Sequence, residues 1–271
     1  MKIEKCYFWP TYLSLVLNKV EQKRVQKILP DLKIAQVFLW RALNIYDDIL
    51  DKENKETDLL KANNYYRRFL AIHYRLNLPK DYYQKLDKTF SRLEKINKKE
   101  IETTKITIKD GKILVPKNPK PIISKQNLAD KSAVLTLFAS AMFFYLKKPA
   151  LNLDKFWNYF LSAKQLADDS YDWLEDLKKG IITNANYPLL KIYQGKTINL
   201  SQKKKLQTLF EKHCALTMIK EISKLCLKAE KEIDKFKKEK SSTIKNKLLK
   251  PLLTACRSAE KSFSLKYPSN L

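Results

Sequence analysis

Two short segments carry clustered carboxylates at a spacing suited to holding cations. Asp47-Asp48-Ile49-Leu50-Asp51 and Asp168-Asp169-Ser170-Tyr171-Asp172 both read Asp-Asp-x-x-Asp, and Glu175 and Asp176 extend the second. In a chain of this composition, two such patterns arise by chance on the order of once in a thousand sequences. On a helix, Asp47 and Asp51 lie one turn apart on one face with Asp48 beside them, and Asp168, Asp172 and Asp176 form a second stripe. Like charges at that spacing weaken an isolated helix by roughly 0.2–0.5 kcal/mol each. The neighbours are apolar or aromatic: Ile45, Tyr46, Ile49 and Leu50 around the first segment, Tyr171, Trp173 and Leu174 around the second. Carboxylates at the edge of a buried stripe lose hydration, and cations must offset that loss. Hard divalent ions do so. Mg²⁺ takes one or two carboxylates together with phosphate oxygens. The plain alternative is a pair of acidic solvent faces matched by lysines. The acidic runs interrupt a strongly basic chain next to its aromatic residues, which favours cation binding.

Helices must position these side chains. The 271 residues hold only three glycines, Gly111, Gly180 and Gly195. That leaves few positions for tight turns and no Gly-rich phosphate loop. Apolar periodicity predicts helices over Thr11–Leu29, ended by Pro30, and from about Leu32 to Glu53 after an Asp31 N-cap, carrying the first motif. Further helices are expected over Glu56–Leu76, Lys80–Thr104, Leu128–Lys147, Asp154–Lys179 with a stop at Gly180, Gln202–Lys240, and Ser242–Ser264 with a bend at Pro251. Lys131 is expected to open an apolar helix. Between residues 105 and 115 the residues alternate about Asp110-Gly111, a hairpin signal. The expected fold is all-α: one domain spanning 1–271, an antiparallel helical bundle around a central cavity, with a small β-hairpin.

The segment Lys131-Ser132-Ala-Val-Leu-Thr-Leu-Phe138-Ala-Ser-Ala, followed by Gln165-Leu-Ala-Asp168-Asp169-Ser-Tyr-Asp172, resembles the second half of trans-prenyl diphosphate synthases. Those carry a Lys-Thr-Ala-x-Leu-Phe helix and, one helix later, Gln-x-x-Asp-Asp-x-x-Asp. The resemblance to the class I isoprenoid synthase superfamily covers about residues 30–185. It implies that Asp47, Asp51 and Asp168 ligate several Mg²⁺ ions, supported by Asp48, Asp169 and Asp172. It implies that Lys131 and Gln165 bind a diphosphate with Ser132 close by, and that Lys178 and Lys179 lie where the family often places another phosphate-binding lysine, although either reads equally well as a solvated surface group. The implied reaction is ionisation of an allylic isoprenoid diphosphate. The carbocation left behind needs a dry, aromatic pocket. Helical spacing offers Trp40 and Leu43 below Asp47, Trp157 and Leu161 below Asp168, and Phe138 beyond Lys131. Each also fits an ordinary core.

Chain-elongating members carry Gly-Gly-Lys-x-x-Arg-Pro before the first motif and Arg-Arg-Gly after it, and this chain has neither. The expected activity is therefore cyclase-like, with one substrate. The alternative is a divergent prenyl diphosphate synthase that condenses the allylic diphosphate with isopentenyl diphosphate. A homodimer is a family expectation. The net charge of +25 comes mostly from lysines spread along the chain, so a solvated surface explains most of it. A helical protein that binds nucleic acid or an anionic membrane, or a non-catalytic subunit, are competing readings. No nucleic-acid motif is visible, so no nucleic-acid partner is expected, and at most peripheral membrane association. The N-terminal stretch, interrupted by Glu4 and Pro10, does not read as a signal peptide, and four cysteines without a CxxC pair suit a cytoplasmic location.

Overall fold

The computed structural model describes residues 7–50, 56–102, 106–148, 151–236 and 238–266. Helices dominate, beside one three-stranded antiparallel sheet. In chain order the α-helices are α1 (Trp9–Ser14), α2 (Lys19–Val25), α3 (Leu29–Leu50), α4 (Leu59–Arg75), α5 (Lys80–Glu102), α6 (Leu137–Tyr145), α7 (Leu151–Lys178), α8 (Tyr187–Ile192), α9 (Lys203–Phe210), α10 (Leu216–Ile233), α11 (Lys238–Ile244) and α12 (Lys250–Lys266). The strands are β1 (Ile108–Lys109), β2 (Lys112–Leu114) and β3 (Thr197–Asn199). Backbone contacts divide the chain into two compact units. One takes residues 1–93, 132–155 and 232–247, the other 94–131, 156–231 and 248–271. Among the described residues no helix is long and apolar enough to cross a membrane.

In the first unit, α3 packs along α4. Leu32, Ala35, Leu39 and Ala42 recur at helical spacing and are buried. Buried Gln36 donates to the Leu135 carbonyl at 2.9 Å, which ties α3 to the 3₁₀ segment Ala133–Thr136. Phe38 stacks on Tyr65, while Arg41 covers Tyr65 and Arg68 covers Phe38. His73 is buried and held neutral, its pKa lowered to about 3 by burial, and its Nδ1 meets the Tyr82 hydroxyl at 2.5 Å.

The N-terminal region differs from the sequence expectation. The predicted helix Thr11–Leu29 is broken at Asn18, not at Pro30. Asn18 Oδ1 accepts from the Glu21 backbone N–H, and Glu21 Oε2 accepts from the Asn18 N–H, both at 2.9 Å. This reciprocal cap starts α2. Pro30 lies inside the first turn of α3, where its missing N–H has no helical partner to lose.

In the second unit the hairpin forms as expected. Ile108 pairs with Ile113 and Lys109 with Lys112. Asp110 and Gly111 take φ of 50° and 68°, as a two-residue turn of this hand requires. β3 pairs on the other side of β2, with Ile113 opposite Ile198, and both are buried. The core gathers Ile113, Leu166, Trp173, Leu177, Leu189, Cys214 and Met218. Trp173 stacks on Phe210 with centroids 4.2 Å apart. The helix after the third strand is interrupted by a wider π turn, Glu211–Ala215, and a second π turn, Lys245–Leu249, precedes α12. The second lies just before Pro251, which lacks the N–H that a regular ladder would use.

The end of α7 is fixed tightly. Gly180, with φ +75°, donates to the Leu177 carbonyl, and Ile181 donates to the Asp176 carbonyl at 2.8 Å. This is the bonding of a Schellman C-terminus. Ile106 donates to the Gly180 carbonyl at 2.9 Å and Ile122 to the Ile182 carbonyl at 3.0 Å. Asn186 is fully buried. Its Nδ2 donates to the Ile181 carbonyl at 3.0 Å and to the Trp173 carbonyl at 3.4 Å, while its Oδ1 accepts from the Thr183 N–H at 3.0 Å. Replacing it orphans buried backbone groups, so Asn186→Ala is expected to cost on the order of 2 kcal/mol and lower the thermal midpoint by about 5 °C. Circular dichroism melting of the variant beside the parent checks this.

Candidate functional site

The second aspartate motif lies on α7 in the second unit, and its two faces have opposite character. Leu166, Trp173 and Leu177 are buried. On the other flank run Gln165, Asp168, Asp169, Asp172 and Asp176. Asp169 and Asp176 sit where these faces meet and are half-buried, while Asp168 and Asp172 are exposed. Gln165 Nε2 donates to Asp169 Oδ1 at 2.8 Å, and Lys164 forms an ion pair with Asp168. Ser170 turns its hydroxyl inward to donate to the Leu166 carbonyl at 2.7 Å. Tyr171 points into solvent.

Electrostatics follow from this placement. Burial raises the Asp169 pKa to about 6, and the Asp168 and Glu100 charges push the same way. The Gln165 hydrogen bond and the Lys131 charge oppose the rise. Burial also raises Asp176 to about 7, helped by Asp169 and Asp172 and opposed by Lys131 and Lys179. Asp172 is raised as well, by burial first and then by Glu175 and Asp168, with Lys179 opposing. Lys131 is therefore within electrostatic reach of both buried carboxyls. It also donates to Glu100 Oε1 at 3.1 Å.

Lys131 does not open an α-helix as expected. It ends the 3₁₀ segment Lys125–Lys131, and a second 3₁₀ segment follows at Ala133–Thr136 before α6 begins. Thr136 Oγ1 donates to the Ala133 carbonyl at 2.7 Å, the kind of local bond with which serine and threonine compete against a regular helix. Glu100, on the last turns of α5, was not singled out by the sequence. It is 31 positions from Lys131, and no local pattern marks that pair. Asp176 was noted only as an extension of the motif, yet its carboxyl is the one pushed highest.

The other expected site residues lie as follows. Asp47 is exposed and Asp48 half-buried on α3 in the first unit. Tyr46 beside them donates to Asn63 Oδ1 at 2.7 Å, which fixes this part of α3 against α4. Asp51 lies outside the described residues. Trp40 and Leu43 are half-buried on α3, and Ser132 is half-buried between the two 3₁₀ segments. Phe138 is buried against Trp9 in the first unit. Trp157 and Leu161 are buried in the second, where Trp157 packs edge-on against Phe156 and Phe160. Lys178 and Lys179 are exposed at the end of α7. Two surface clefts lie elsewhere. One of about 410 Å³ is bounded by Ile106, Leu114, Val115 and Gly195, the other of about 550 Å³ by Leu76, Pro79, Phe144 and Tyr145.

Among the described residues no three carboxylate, imidazole or thiol groups come close enough to enclose a metal ion by themselves. The α7 acids nevertheless offer hard oxygen donors held near one another at raised proton affinity. That donor set fits Mg²⁺, which needs only one or two protein carboxylates when phosphate oxygens and waters complete its shell. The sequence matches no protein-family model and no curated protein.

A carboxyl whose folded pKa lies above its unfolded value destabilises the fold once it ionises. The penalty is absent below the unfolded value near 3.8, grows as pH rises, and is complete above the folded value of about 7 for Asp176. Asp176→Asn keeps the shape of the protonated acid and removes the penalty. The variant should therefore raise the thermal midpoint by up to about 10 °C at about pH 8, less where solvent screens the partly exposed carboxyl, and by less than about 1 °C at about pH 4. Equal midpoints for parent and variant at the higher pH would contradict the placement of this carboxyl.

Proposed function

We propose that this chain ionises an allylic isoprenoid diphosphate with Mg²⁺, in the manner of a class I terpene cyclase. The observation that supports this most strongly is the cluster on α7. Three acids of raised proton affinity share one helix face, Gln165 hydrogen-bonds the half-buried Asp169, and the Lys131 charge acts on both Asp169 and Asp176. A half-buried acidic cluster whose proton affinity stays raised despite Lys131, Lys164 and Lys179 suits a ligand that brings its own cations. The resemblance of Gln165–Asp172 and Lys131–Phe138 to isoprenoid synthases, and the second acidic motif at Asp47, Asp48 and Asp51, agree with it.

In this proposal Asp168, Asp169 and Asp172 hold metal ions on α7, and the Asp47-Asp48-Ile-Leu-Asp51 motif is a second set of cation ligands that the reaction needs. Bound Mg²⁺ supplies positive charge to the diphosphate as it departs. The chain's own residues do the rest. Gln165 orients the Asp169 carboxylate through its amide N–H and leaves the second oxygen available. Lys131 exchanges its Glu100 partner for a diphosphate oxygen and adds a charge-assisted hydrogen bond. Lys179 opposes part of the rise in proton affinity at Asp172 and Asp176, and bound cations would displace the protons that remain. The absence of the isopentenyl diphosphate signatures favours a single-substrate cyclase.

The test is incubation of the full chain with geranyl, farnesyl and geranylgeranyl diphosphate, with and without MgCl₂ and isopentenyl diphosphate, measuring released diphosphate and identifying the hydrocarbon. Mg²⁺-dependent release without isopentenyl diphosphate is expected. Asp168→Asn and Asp47→Asn should each lower it by about 100-fold or more. Glu100→Gln should lower KM by up to about fivefold without lowering kcat, because Lys131 then no longer has the Glu100 ion pair to give up to the diphosphate. Absence of release with every chain length would overturn the proposal.

A further inference from the structure

The first helix of the first unit is apolar on both sides. Trp9 and Leu13 point into the core, with Trp9 against Phe138. Phe8, Tyr12 and Leu15 recur at the same helical spacing one position away; Phe8 and Leu15 are exposed and Tyr12 is half-buried. Phe8 is 42% exposed and Leu15 37%. Tyr7 packs edge-on against Phe8, and Phe8 stacks on Tyr12 at 6.1 Å, so the outward rings form one aromatic surface. On α2, Val20 is 71% exposed.

One cation touches this surface, and the next helix carries others. Lys33 Nζ lies 5.2 Å from the Tyr7 ring centroid. Lys23, Arg24 and Lys27 follow Val20 at three, four and seven positions, on the same outer face of α2 and just beyond it, and all are exposed. Between residues 7 and 34 there are five cations (Lys19 besides these four) and two acids. Both acids are already neutralised within the unit, Glu21 by Lys148 and Asp31 by Arg75. The excess positive charge is thus not matched locally.

We propose that this N-terminal face docks on an anionic lipid bilayer, with Phe8, Tyr12, Leu15 and Val20 entering the headgroup region and Lys23, Arg24, Lys27 and Lys33 meeting lipid phosphates. An apolar aromatic strip flanked by lysine and arginine is what interfacial binding requires. Tyrosine rings, apolar in body and polar at the tip, suit that depth. A nucleic-acid partner would use the cations but would gain little from exposed Leu15 and Val20. Docking here is independent of the activity proposed above.

The test is co-sedimentation of the full chain with vesicles of phosphatidylcholine alone and of phosphatidylcholine mixed with phosphatidylserine. Binding to the mixed vesicles, weakened by added salt, is expected. Each lost cation should weaken partitioning about fivefold, so Lys23→Gln with Arg24→Gln should weaken it about 25-fold. Phe8→Ser with Leu15→Ser should weaken it at least as much. Val20→Ser alone, the mildest change, should weaken it measurably while leaving the thermal midpoint in place. The exposed lysines Lys203, Lys204 and Lys205 lie in the other unit, and changing all three to Gln should matter less than the Lys23 and Arg24 pair. Three results would each overturn the proposal: no sedimentation of the parent, equal loss from the Lys203–Lys205 variant, or binding to duplex DNA that displaces vesicles and ignores Phe8 and Leu15.

Discussion

The arrangement on α7 depends on two half-buried carboxyls, Asp169 and Asp176, whose burial outweighs the cations beside them. Leu166, Trp173 and Leu177 draw one side of the helix into the core of the second unit. Asp169 and Asp176 follow, because each stands about one helical step from a buried residue. Burial then raises their proton affinity, and the neighbouring acids of the same motif raise it further. Lys131 and Gln165 relieve only part of this. The acids therefore hold their protons more tightly than free carboxyls do, although Lys131, Lys164 and Lys179 stand beside them.

The surrounding elements hold that place still. The Schellman turn at Gly180, the buried Asn186 amide and the two backbone bonds from Ile106 and Ile122 clamp the end of α7 to the loop that precedes Lys131. The three-stranded sheet continues from the same loop and packs Ile113 and Ile198 into the same core. Glu100 reaches the site from the end of α5 and holds Lys131 in the absence of a stronger anion. Local stiffness and the charge imbalance therefore come from one set of packed segments.

Much of this was legible in the sequence where the signal is local. The two motifs, the α7 helix with its stop at Gly180, and the Asp110-Gly111 hairpin each depend on residues a few positions apart. Asn18 and Glu21 spell a capping box as plainly, but Pro30 drew attention as the breaker although a first-turn proline suits a helix. β3 was missed because Thr197-Ile198-Asn199 is too short to show alternation and forms only against β2. The apolar neighbours of Lys131 suggest a helix, while Thr136, bonded to the Ala133 carbonyl, sits in a 3₁₀ segment instead. Glu100 could not be read at all: its meaning lies in a partner 31 residues away, brought near by tertiary packing.

The claim that the α7 carboxyls form a magnesium-diphosphate site has a direct thermodynamic consequence. Cations binding there must displace protons from Asp169 and Asp176 near their raised pKa values of about 6 and 7. Calorimetric titration of MgCl₂ with inorganic pyrophosphate into the full chain, at about pH 6.5 in two buffers of different ionisation enthalpy, measures that release. The account predicts binding that needs both components and releases protons, with the release reduced in Asp176→Asn. Pyrophosphate binding that ignores Mg²⁺, or binding without proton release, would contradict it.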